Sequence, residues 1–381
     1  MGEIKVLHCL NAPSWGGLEI YSVELMIELQ RNGLKQAALC IPGSRAADEL
    51  KRASVEVFEL PAGISKFAHA RLIRRFIKEK GFTHLHSHTR LDMWACALAK
   101  WNKGGIKHIY NLYMNALPKQ DFVHKWLFSK VDALCTSSQN ILDDAKKNFP
   151  IAPKKLHLIR YGRKTDQYVH APEKREHIRS KYNAEGKIVF GTLCRIDPGK
   201  GVRELVSALD HLTDEEIGKI QLWIVGDLTI VGKNPDGSIH YEGPSKELSD
   251  WIDRKIAEPR LKGHLVRIPF QKEYIPYIDA LDVFALASYN ETYSLSILDA
   301  MLMEKPVIGT NAGGTPEQIG HNERGTLVEA KNAKALAEGM RIYIQNPSLT
   351  ETQGKIGRTW VLSQHNWPTT LQKTVEIYQK L

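Results

Sequence analysis

Two carboxylates in the second half of the chain are spaced to bind a phosphorylated sugar. Glu291 and Asp299 lie eight residues apart, after an apolar run at 283–288. Between them lie the four residues of the predicted turn and helix start, Tyr293, Ser294, Leu295 and Ser296. The backbone N–H groups and the dipole at a helix start attract phosphate. The carboxylates would then flank a diphosphate and bind hydroxyl groups on either side of it.

Two cations after another predicted strand could stabilise a leaving phosphate. Arg195 and Lys200 follow the apolar run at 188–193, and strand carboxyl ends border the ligand crevice of an open α/β sheet. Fixed cations there can neutralise the charge on a departing nucleoside diphosphate, which a metal ion does in other transferases. The chain has no Asp-x-Asp pair, so we expect neither a metal ion nor another cofactor. Alternatively, both residues are ordinary surface cations.

A glycine pair precedes the first predicted helix. Gly16 and Gly17 permit the close backbone approach that a sugar diphosphate needs, so both are candidate donor-binding residues. The loop lacks Gly-x-Gly-x-x-Gly, which disfavours a nicotinamide-dependent dehydrogenase. Glu19 either contacts a ligand or is an acid that the helix dipole favours at this position.

Three histidines alternate along one predicted strand. His84, His86 and His88 share a face, because side chains alternate along a strand. Three ligands from one extended strand fit tetrahedral geometry poorly, and no Cys or acidic partner lies at ligand spacing, which disfavours a metal site. We expect His84 and His86 to be packed and hydrogen-bonded inside the sheet.

Short apolar runs alternate with amphipathic stretches, which indicates parallel sheets covered by helices on both faces. In the first half, the predicted strands are 4–11, 36–41, 55–60, 84–88, 108–112, 134–137 and 156–160. In the second half they are 188–193, 222–225, 266–269, 283–287, 307–310 and 326–328. We therefore predict an α/β protein of two doubly wound domains, 1–165 and 166–365, with a polar linker at 163–176. The polar insertion at 229–244 either borders the active site or is a surface loop.

Composition favours a cytoplasmic protein. The five cysteines are spread widely and lie mostly in apolar runs, so we expect reduced core residues. The sequence contains neither a signal-peptide pattern nor a stretch of about 18 apolar residues. We therefore expect a protein that is soluble or bound peripherally to the inner face of the cytoplasmic membrane.

The positive charge is confined to the first half. Residues 1–170 hold 26 Lys and Arg against 15 Asp and Glu, a net +11, whereas residues 171–381 hold 26 against 28, a net −2. The helix predicted at 70–80 carries four cations opposite its apolar arc, Arg71, Arg74, Arg75 and Lys78. It is either an ordinary docked helix or, with Phe122, Trp126 and Phe128, a surface for anionic lipid. No nucleic-acid-binding motif accompanies it, so we expect no nucleic-acid partner.

An ordered set of motifs resembles the retaining, nucleotide-sugar-dependent glycosyltransferases of family 4. In chain order the motifs are Trp15–Glu19, Leu85–His88, Gly191–Gly201, Leu222–Gly226, Glu291–Asp299, Gly313–Glu317 and Gly325–Val328. The resemblance implies the GT-B fold, in which two Rossmann-like domains face a central cleft, with a last helix at 366–381 that packs back on the first domain. It also implies a UDP- or GDP-sugar donor and a glycan or glycolipid acceptor.

The resemblance assigns roles to the candidate residues. Asp299 would bind the ribose diol, Glu291 the hydroxyls of the transferred sugar, and Arg195 and Lys200 the diphosphate. Gly226 and the amides of 294–296 would complete the donor site. In the first domain, Gly16 and Gly17 would face the cleft with His88, which would contact donor sugar or acceptor.

Some residues depart from the family pattern. Asp299 replaces a longer Glu, Ser294 stands where Gly is usual, and 161–164 replaces the usual Asn-Gly-x-Asp. Two other functions therefore stay open. One is a nucleotide-sugar epimerase or hydrolase on the same scaffold, and the other is a non-catalytic sugar-nucleotide-binding protein.

Overall fold

The computed structural model describes residues 3–101, 104–233, 236 and 238–381. The chain forms two compact units. The first unit comprises Met1–Lys164 and Gln364–Leu381, and the second comprises Thr165–Ser363. Among the described residues, no helix has both the length and the apolar character that crossing a membrane requires.

The first unit is a seven-stranded parallel sheet in the order β3-β2-β1-β4-β5-β6-β7. Its strands are β1 (Lys5–Leu10), β2 (Lys35–Cys40), β3 (Glu56–Glu59), β4 (His84–Ser87), β5 (Lys107–Leu112), β6 (Ala133–Thr136) and β7 (Leu156–Leu158). Its first six helices are α1 (Gly17–Arg31), α2 (Arg45–Arg52), α3 (Lys66–Lys80), α4 (Arg90–Lys100), α5 (Phe122–Ser129) and α6 (Gln139–Asn148). Helices α1 and α2 share one core cluster, whereas α3, α4, α5 and α6 build the two others. This division follows from right-handed crossovers that run in opposite directions from β1.

The second unit contains a six-stranded parallel sheet in the order β12-β9-β8-β13-β14-β15. The strands of this unit are β8 (Ile188–Leu193), β9 (Ile220–Val225), β10 (Ile230–Lys233), β11 (Ile239–Tyr241), β12 (Leu265–Ile268), β13 (Val283–Leu286), β14 (Val307–Thr310) and β15 (Gly325–Val328). Its helices are α7 (Pro172–Lys181), α8 (Val202–Ser207), α9 (Asp214–Gly218), α10 (Gly243–Ala257), α11 (Ile275–Ala280), α12 (Leu295–Leu302), α13 (Thr315–Ile319), α14 (Ala333–Gln345) and α15 (Ser348–Gln364). Its buried core lies between the sheet and the helices.

The last helix, α16 (Trp367–Lys380), belongs to the first unit. Two histidines of β4 bond to it, because His84 Nε2 lies 3.1 Å from the carbonyl of Tyr378 and His86 Nδ1 lies 2.7 Å from its hydroxyl. Gly162 admits the ring of Trp367, since a Cβ at this position would lie 2.5 Å from that ring. Polar contacts and close packing therefore both attach α16 to this sheet.

The polar segment at 163–176, predicted to be a linker, is largely folded into the two units. Arg163 is 4% exposed, and its guanidinium lies 3.0 Å from the carboxylate of Glu24 on α1. Tyr168 is fully buried, and α7 has already begun at Pro172. The boundary between the two units, at Lys164 and Thr165, falls inside the predicted linker, and several charged groups of the segment have specific partners within the units.

All thirteen strands predicted from apolar runs are present in the two large sheets, with bounds within two residues of those predicted. The insertion at 229–244 differs from the loop expected there. It contains β10 and β11, an antiparallel hairpin, although Asn234, Pro235 and Gly237 lie outside the described residues. Its sequence signal was the Asn-Pro-Asp-Gly run between two short stretches rich in β-branched and aromatic residues.

The basic face predicted on α3 is smaller than expected. Arg74 donates to the carbonyls of Ala99 and Leu98, at 3.0 and 2.6 Å, and so satisfies the last turn of α4. Arg75 pairs with Glu79 on the same helix. The guanidinium of Arg74 is thus committed to helix packing and cannot serve as a lipid contact without breaking these bonds.

The three aromatic residues that were predicted to extend that surface differ in their exposure to solvent. Phe128 is 2% exposed and packs against Phe149 with ring centroids 4.5 Å apart, so its assignment to a lipid surface was wrong. Trp126 is half-buried against Trp101. Only Phe122 of the three predicted aromatics projects freely, with 82% of its surface exposed. On its helix, α5, Phe128 faces the core, whereas Trp126 lies four residues after Phe122 and so on the same side of the helix.

Candidate active site

The loop after β8 holds Lys200 against the loop after β13. Residues Pro198–Lys200 form one turn of 3-10 helix, which Asp197 caps by accepting from the N–H of Gly199 at 2.7 Å. The carbonyl of Gly199 accepts from the N–H of Tyr289 at 3.0 Å. Because β8 and β13 are neighbours in the sheet, their carboxyl-terminal loops lie side by side.

An ion pair joins two of the predicted site residues across these loops. Lys200 Nζ lies 2.7 Å from Glu291 Oε2, and both side chains are partly buried, at 27% and 18% exposure. Arg195 lies on the same edge of the sheet, also after β8, and its side chain is exposed. One edge of the second unit therefore carries the ion pair of Lys200 and Glu291 together with a second cation, Arg195.

A glycine pair shapes the turn that carries Glu291. Gly313 has φ +59°, and a Cβ there would lie 2.0 Å from the carbonyl oxygen of Glu291. The next residue, Gly314, donates its N–H to that same oxygen at 2.7 Å. A side chain at Gly313 would displace the turn, since the backbones approach too closely to admit one. The glycines that follow β14 thus fix the position of the carboxylate that follows β13.

The start of α12 presents fewer free amides than the sequence predicts. Ser294 is the N-cap residue, and its N–H donates to Gln318 Oε1 at 2.9 Å while its carbonyl accepts from Gln318 Nε2 at 2.8 Å. Its hydroxyl lies 2.9 Å from that of Ser296. The amides of Leu295 and Ser296 follow in the first turn, where an N–H has no acceptor within the helix. Sequence reasoning missed Gln318, which lies 24 residues further along the chain.

Two other predicted donor-binding residues have structural roles here. Tyr293 is 4% exposed and packs against Gly314. Gly226 ends β9 with φ +144°, and a Cβ there would lie 2.0 Å from the carbonyl oxygen of Cys194. Close packing therefore accounts for the glycine at position 226 and for the burial of Tyr293.

Asp299 is held by two tyrosines. The hydroxyl of Tyr168 donates to Oδ1 at 2.6 Å, and the hydroxyl of Tyr274 donates to Oδ2 at 3.0 Å. The carboxylate is 5% exposed. The two tyrosines therefore orient the carboxylate to which the family resemblance assigns the ribose. The tyrosines come from segments 131 and 25 residues away, which no local pattern reveals.

Removing the Tyr168 hydroxyl should separate donor binding from stability. We expect Tyr168→Phe to raise the KM for the donor about tenfold, because a hydrogen bond to a charged group contributes about 1.5–3 kcal/mol. The matched control is Tyr343→Phe, since the Tyr343 hydroxyl is also buried and hydrogen-bonded in the second unit, to Thr326 and Gln353. The control should lower the melting temperature without changing KM. Equal KM values for the two variants would contradict the role given to Tyr168.

The glycine loop of the first unit is organised around Glu19. Glu19 is 7% exposed, and its carboxylate accepts from the N–H of Gly16 at 2.8 Å and from the hydroxyl of Ser14 at 2.9 Å. Gly17 is the first residue of α1. This geometry favours the reading of Glu19 as a helix-start acid. The N–H of Gly16 is already used and is unavailable to an anion in this conformation.

His88 is buried with both ring nitrogens engaged. Its Nε2 lies 3.0 Å from His8 Nδ1, its Nδ1 lies 3.0 Å from the hydroxyl of Tyr113, and the residue is 1% exposed. The imidazole is therefore buried in this structure, and its expected contact with donor sugar or acceptor stays a prediction. Burial lowers the pKa of His88 well below its usual value, which keeps the ring neutral.

His8, His86 and His88 form the one group of potential metal ligands found among the described residues, with candidate ligand atoms within 4.8 Å of one another. His8 comes from β1, next to β4 in the sheet. The three rings are nearly parallel, with interplanar angles of 32°, 17° and 21°. His8 Nδ1 and His88 Nε2 lie 3.0 Å apart, the distance between an N–H donor and an acceptor nitrogen of two neutral rings. This arrangement suits neutral stacked imidazoles better than a chelate.

Comparison with known families accounts for most of the chain. The sequence profile described as "Glycosyltransferase Family 4" matches residues 15–167, and the profile described as "Glycosyl transferases group 1" matches residues 173–360. These matches include the glycine loop, the β4 histidines and the Lys200–Glu291 edge.

Individual relatives are distant. The glycogen synthase of Mycobacterium tuberculosis is 22% identical over 262 residues, which cover 67% of this chain and 56% of that protein. The chain thus spans about half the length of this curated relative. A glycosyltransferase from Rickettsia africae superimposes with a TM-score of 0.83 at 22% identity, over 100% of this chain and 99% of that one. HepE of Anabaena, solved with UDP-glucose, has a TM-score of 0.83 at 17% identity over 100% of both chains.

The structural similarities confirm the predicted GT-B fold class, since both units are parallel α/β sheets and the solved neighbours are glycosyltransferases. The two profiles together extend over both units in the expected order. The chain therefore belongs to the group 1, family 4 glycosyltransferases.

Proposed function

We propose that this protein transfers a sugar from a nucleotide-sugar donor to a glycan acceptor, and that the second unit binds the donor. The observation that carries the proposal is the ion pair of Lys200 and Glu291 on the same edge as the first turn of α12. A cation, a carboxylate and helix-start amides suit the phosphate and hydroxyl groups of such a donor. The solved complex of HepE with UDP-glucose supports a UDP-sugar, and a GDP-sugar is the second choice.

Each side chain on this edge has a proposed task. Lys200 and Arg195 neutralise the diphosphate, together with the amides of Leu295 and Ser296. Glu291 accepts from hydroxyls of the transferred sugar, and Asp299 accepts from the ribose. The ion pair prepares the site, because Glu291 holds the Lys200 ammonium in place before the donor arrives and less reorganisation is then needed.

We also propose that transfer retains the anomeric configuration, as the family resemblance implies. The acceptor attacks on the face of the departing diphosphate through an oxocarbenium-like state, and the leaving phosphate takes the acceptor proton. No carboxylate is placed as a covalent nucleophile in this scheme. The anomeric configuration of the first product formed, read from its proton coupling constant by NMR, tests the proposal.

Catalysis is proposed to need no divalent metal, because cations of the chain take the charge of the leaving group. We expect full transfer activity in excess EDTA. Lys200→Ala should lower kcat sharply in the same buffer, and Lys219→Ala is the matched control, since Lys219 also pairs with a glutamate of this unit. Loss of turnover in EDTA with recovery on adding Mg²⁺ or Mn²⁺ would contradict the proposal.

The proposed acceptor is a lipid-linked or cell-envelope glycan, such as lipopolysaccharide or exopolysaccharide. The supporting observation is the net positive charge of residues 1–170, which contain 26 Lys and Arg but only 15 Asp and Glu. A strongly basic half favours anionic partners such as phospholipid headgroups. The protein would then act in the cytoplasm, peripherally on the inner face of the membrane.

Nucleoside diphosphate release tests the function against the two alternatives. A glycosyltransferase releases the diphosphate at a rate that depends on acceptor concentration. A hydrolase or epimerase turns over the nucleotide sugar without any acceptor, and a non-catalytic protein binds it without turnover. Diphosphate release from UDP- and GDP-sugars and conversion of the nucleotide sugar to an isomer, both measured with and without an envelope glycolipid extract, therefore distinguish these outcomes.

A further inference from the structure

Three consecutive helices of the first unit each expose an apolar side chain in the first turn. Phe67 on α3 is 65% exposed, Leu91 on α4 is 56% exposed, and Phe122 on α5 is 82% exposed, with Val123 beside it. Each helix follows a strand of the same parallel sheet. The starts of all three helices therefore lie at the carboxyl edge of that sheet. We call Phe67, Leu91, Phe122 and Val123 the apolar ledge.

Ring contacts connect the three helix starts. The ammonium of Lys66, at the start of α3, lies 4.6 Å from the ring centroid of Trp94 on α4. Trp94 in turn lies 6.0 Å from the ring of His124 on α5. Leu91 is one turn before Trp94, and Phe122 is two residues before His124. The exposed side chains therefore surround a packed support and are not scattered over the unit.

The loop between β5 and α5 adds two apolar side chains to the same edge. Met114 is 68% exposed and Leu117 is 67% exposed. The loop is anchored near them, because the carbonyl of Ala116 accepts from the Asn148 amide at 2.6 Å. Burial of these apolar groups would be favourable, yet nothing in the folded first unit covers them. A partner outside the protein would therefore have to supply the apolar surroundings that bury these side chains.

Positive charge accompanies the ledge. Lys66 and Arg90 immediately precede Phe67 and Leu91, and Lys125 follows Val123. The positive ends of the three helix dipoles point to the same edge. Acidic groups are fewer there. Asp121 caps α5, and Asp92 is fully buried in α4, where it accepts from the N–H and hydroxyl of Thr89.

We propose that the apolar ledge docks the first unit on an anionic lipid bilayer. Single apolar side chains project beside cations, so the former enter the headgroup region while the latter contact lipid phosphates. The cations beside the exposed apolar side chains favour an anionic lipid surface over a protein partner, because charged residues are depleted at the core of protein interfaces. The inference rests on the proposed lipid-linked acceptor for its purpose, and it places the docking surface at the helix starts and not on the outer face of α3.

Binding to vesicles tests the ledge. Full-length protein is mixed with phosphatidylcholine vesicles that contain or lack phosphatidylglycerol, and the bound fraction is measured by flotation. We expect the ledge variant Phe67→Ser, Leu91→Ser, Phe122→Ser to reduce the partition coefficient at least tenfold. The cation variant Lys66→Gln, Arg90→Gln, Lys125→Gln should reduce it about a hundredfold at low salt, since each cation contributes about fivefold near an anionic surface. Wild-type binding should weaken between roughly 50 and 500 mM salt, because the Debye length falls over this range from over 10 Å to about 4 Å.

Two matched variants control for surface changes in general. Val169→Ser, Ile342→Ser, Ile356→Ser removes three exposed apolar side chains from the second unit and should bind vesicles as the wild type does. Arg71→Gln, Arg75→Gln, Lys78→Gln neutralises the outer face of α3 and should lower binding far less than the cation variant.

Two separate measurements distinguish a failure of the docking proposal from a failure of the proposed donor site. Docking is overturned if the wild type does not bind anionic vesicles, binds neutral ones equally, or loses binding through the α3 variant and not through the ledge variants. Stabilisation of the wild type and ledge variant by a nucleotide sugar is measured in parallel by thermal denaturation. Equal stabilisation shows that the ledge variant is folded and that its donor site is intact, whatever the vesicles report.

Discussion

Replacing Glu291 with alanine is expected to slow sugar transfer at least tenfold while the second unit stays folded. In the proposed site the carboxylate binds hydroxyls of the sugar and holds Lys200, whose ammonium lies 2.7 Å away. Loss of hydrogen bonds to a charged group costs about 1.5–3 kcal/mol, which corresponds to about 10- to 150-fold in rate or affinity. The effect should fall on kcat/KM for the donor.

The control for this prediction is Glu216→Ala. Glu216 also accepts from a cation in the second unit, with Arg341 Nε 2.8 Å away, and its side chain is 16% exposed, close to the 18% of Glu291. Both variants remove one partly buried carboxylate from an ion pair, so a general loss of stability would affect them alike. Diphosphate release at saturating acceptor is the measurement. Wild-type kinetics in Glu291→Ala, with a donor that still saturates, would remove Glu291 from the site.

Acid is expected to unfold the first unit before the second. Seven histidines have a lowered pKa among the described residues, and all seven lie in the first unit, His8, His69, His84, His86, His88, His108 and His157. Burial is the main cause in each. It lowers the pKa to about 4 for His69 and His86 and to about 3 for His108.

The direction of the effect follows from these shifts. A histidine with a lowered folded-state pKa stays neutral in the fold but becomes protonated in the unfolded chain below about pH 6.5. Its contribution is complete above that pH and is lost as the pH falls toward about 4, at roughly 1.4 kcal/mol per pH unit for each group. Asp92 acts in the opposite direction. Burial raises its pKa to about 6, so in mild acid the folded protein binds one proton at Asp92 that the unfolded chain does not. Several histidines together can exceed the roughly 5–15 kcal/mol that stabilises a typical domain.

Hydrogen exchange read by mass spectrometry as a function of pH measures the acid transition in each unit. Peptides of the first unit should lose protection at a higher pH than peptides of the second. His86→Asn should remove about one proton from the slope of the first transition, whereas exposed His321→Asn in the second unit should leave that slope unchanged. Simultaneous loss of protection in both units, or an unchanged slope in His86→Asn, would contradict the expected role of the buried histidines.

The strands of both sheets could be predicted because a buried parallel strand is a short apolar run, which is a local property. The pairing of β10 and β11 also had a local signal, the Asn-Pro-Asp-Gly sequence between them, but the polar composition of the segment led to the expectation of a loop. The partners of Arg74 and Arg163 could not be read locally. Each bonds to a residue distant in the sequence, and a cation committed in this way looks the same in the sequence as one on a solvated face.

The candidate site was predictable only in part. Glu291, Lys200 and Asp299 could be singled out because their residue types and motif spacing suit the chemistry. Their partners were hidden, since Tyr168 reaches Asp299 across 131 residues and Gln318 reaches Ser294 across 24. The same limit applies to His88, whose expected substrate contact stays a prediction and whose hydrogen-bond partner the motif did not reveal. There His8, a partner from another strand, occupies one ring nitrogen.

Thermal denaturation with a panel of UDP-, GDP- and ADP-sugars tests most directly whether the second unit holds a nucleotide-sugar donor. We expect one nucleotide series, with UDP first, to stabilise the wild type, by about 2.7 kcal/mol when the ligand reaches 100 times its Kd. The stabilisation should fall by at least about half in Lys200→Ala and Glu291→Ala, since a tenfold weaker Kd leaves about 1.4 kcal/mol, and it should be kept in Glu216→Ala. No shift with any nucleotide sugar at millimolar concentration, or equal shifts in all four proteins, would contradict the donor site described for this edge of the second unit.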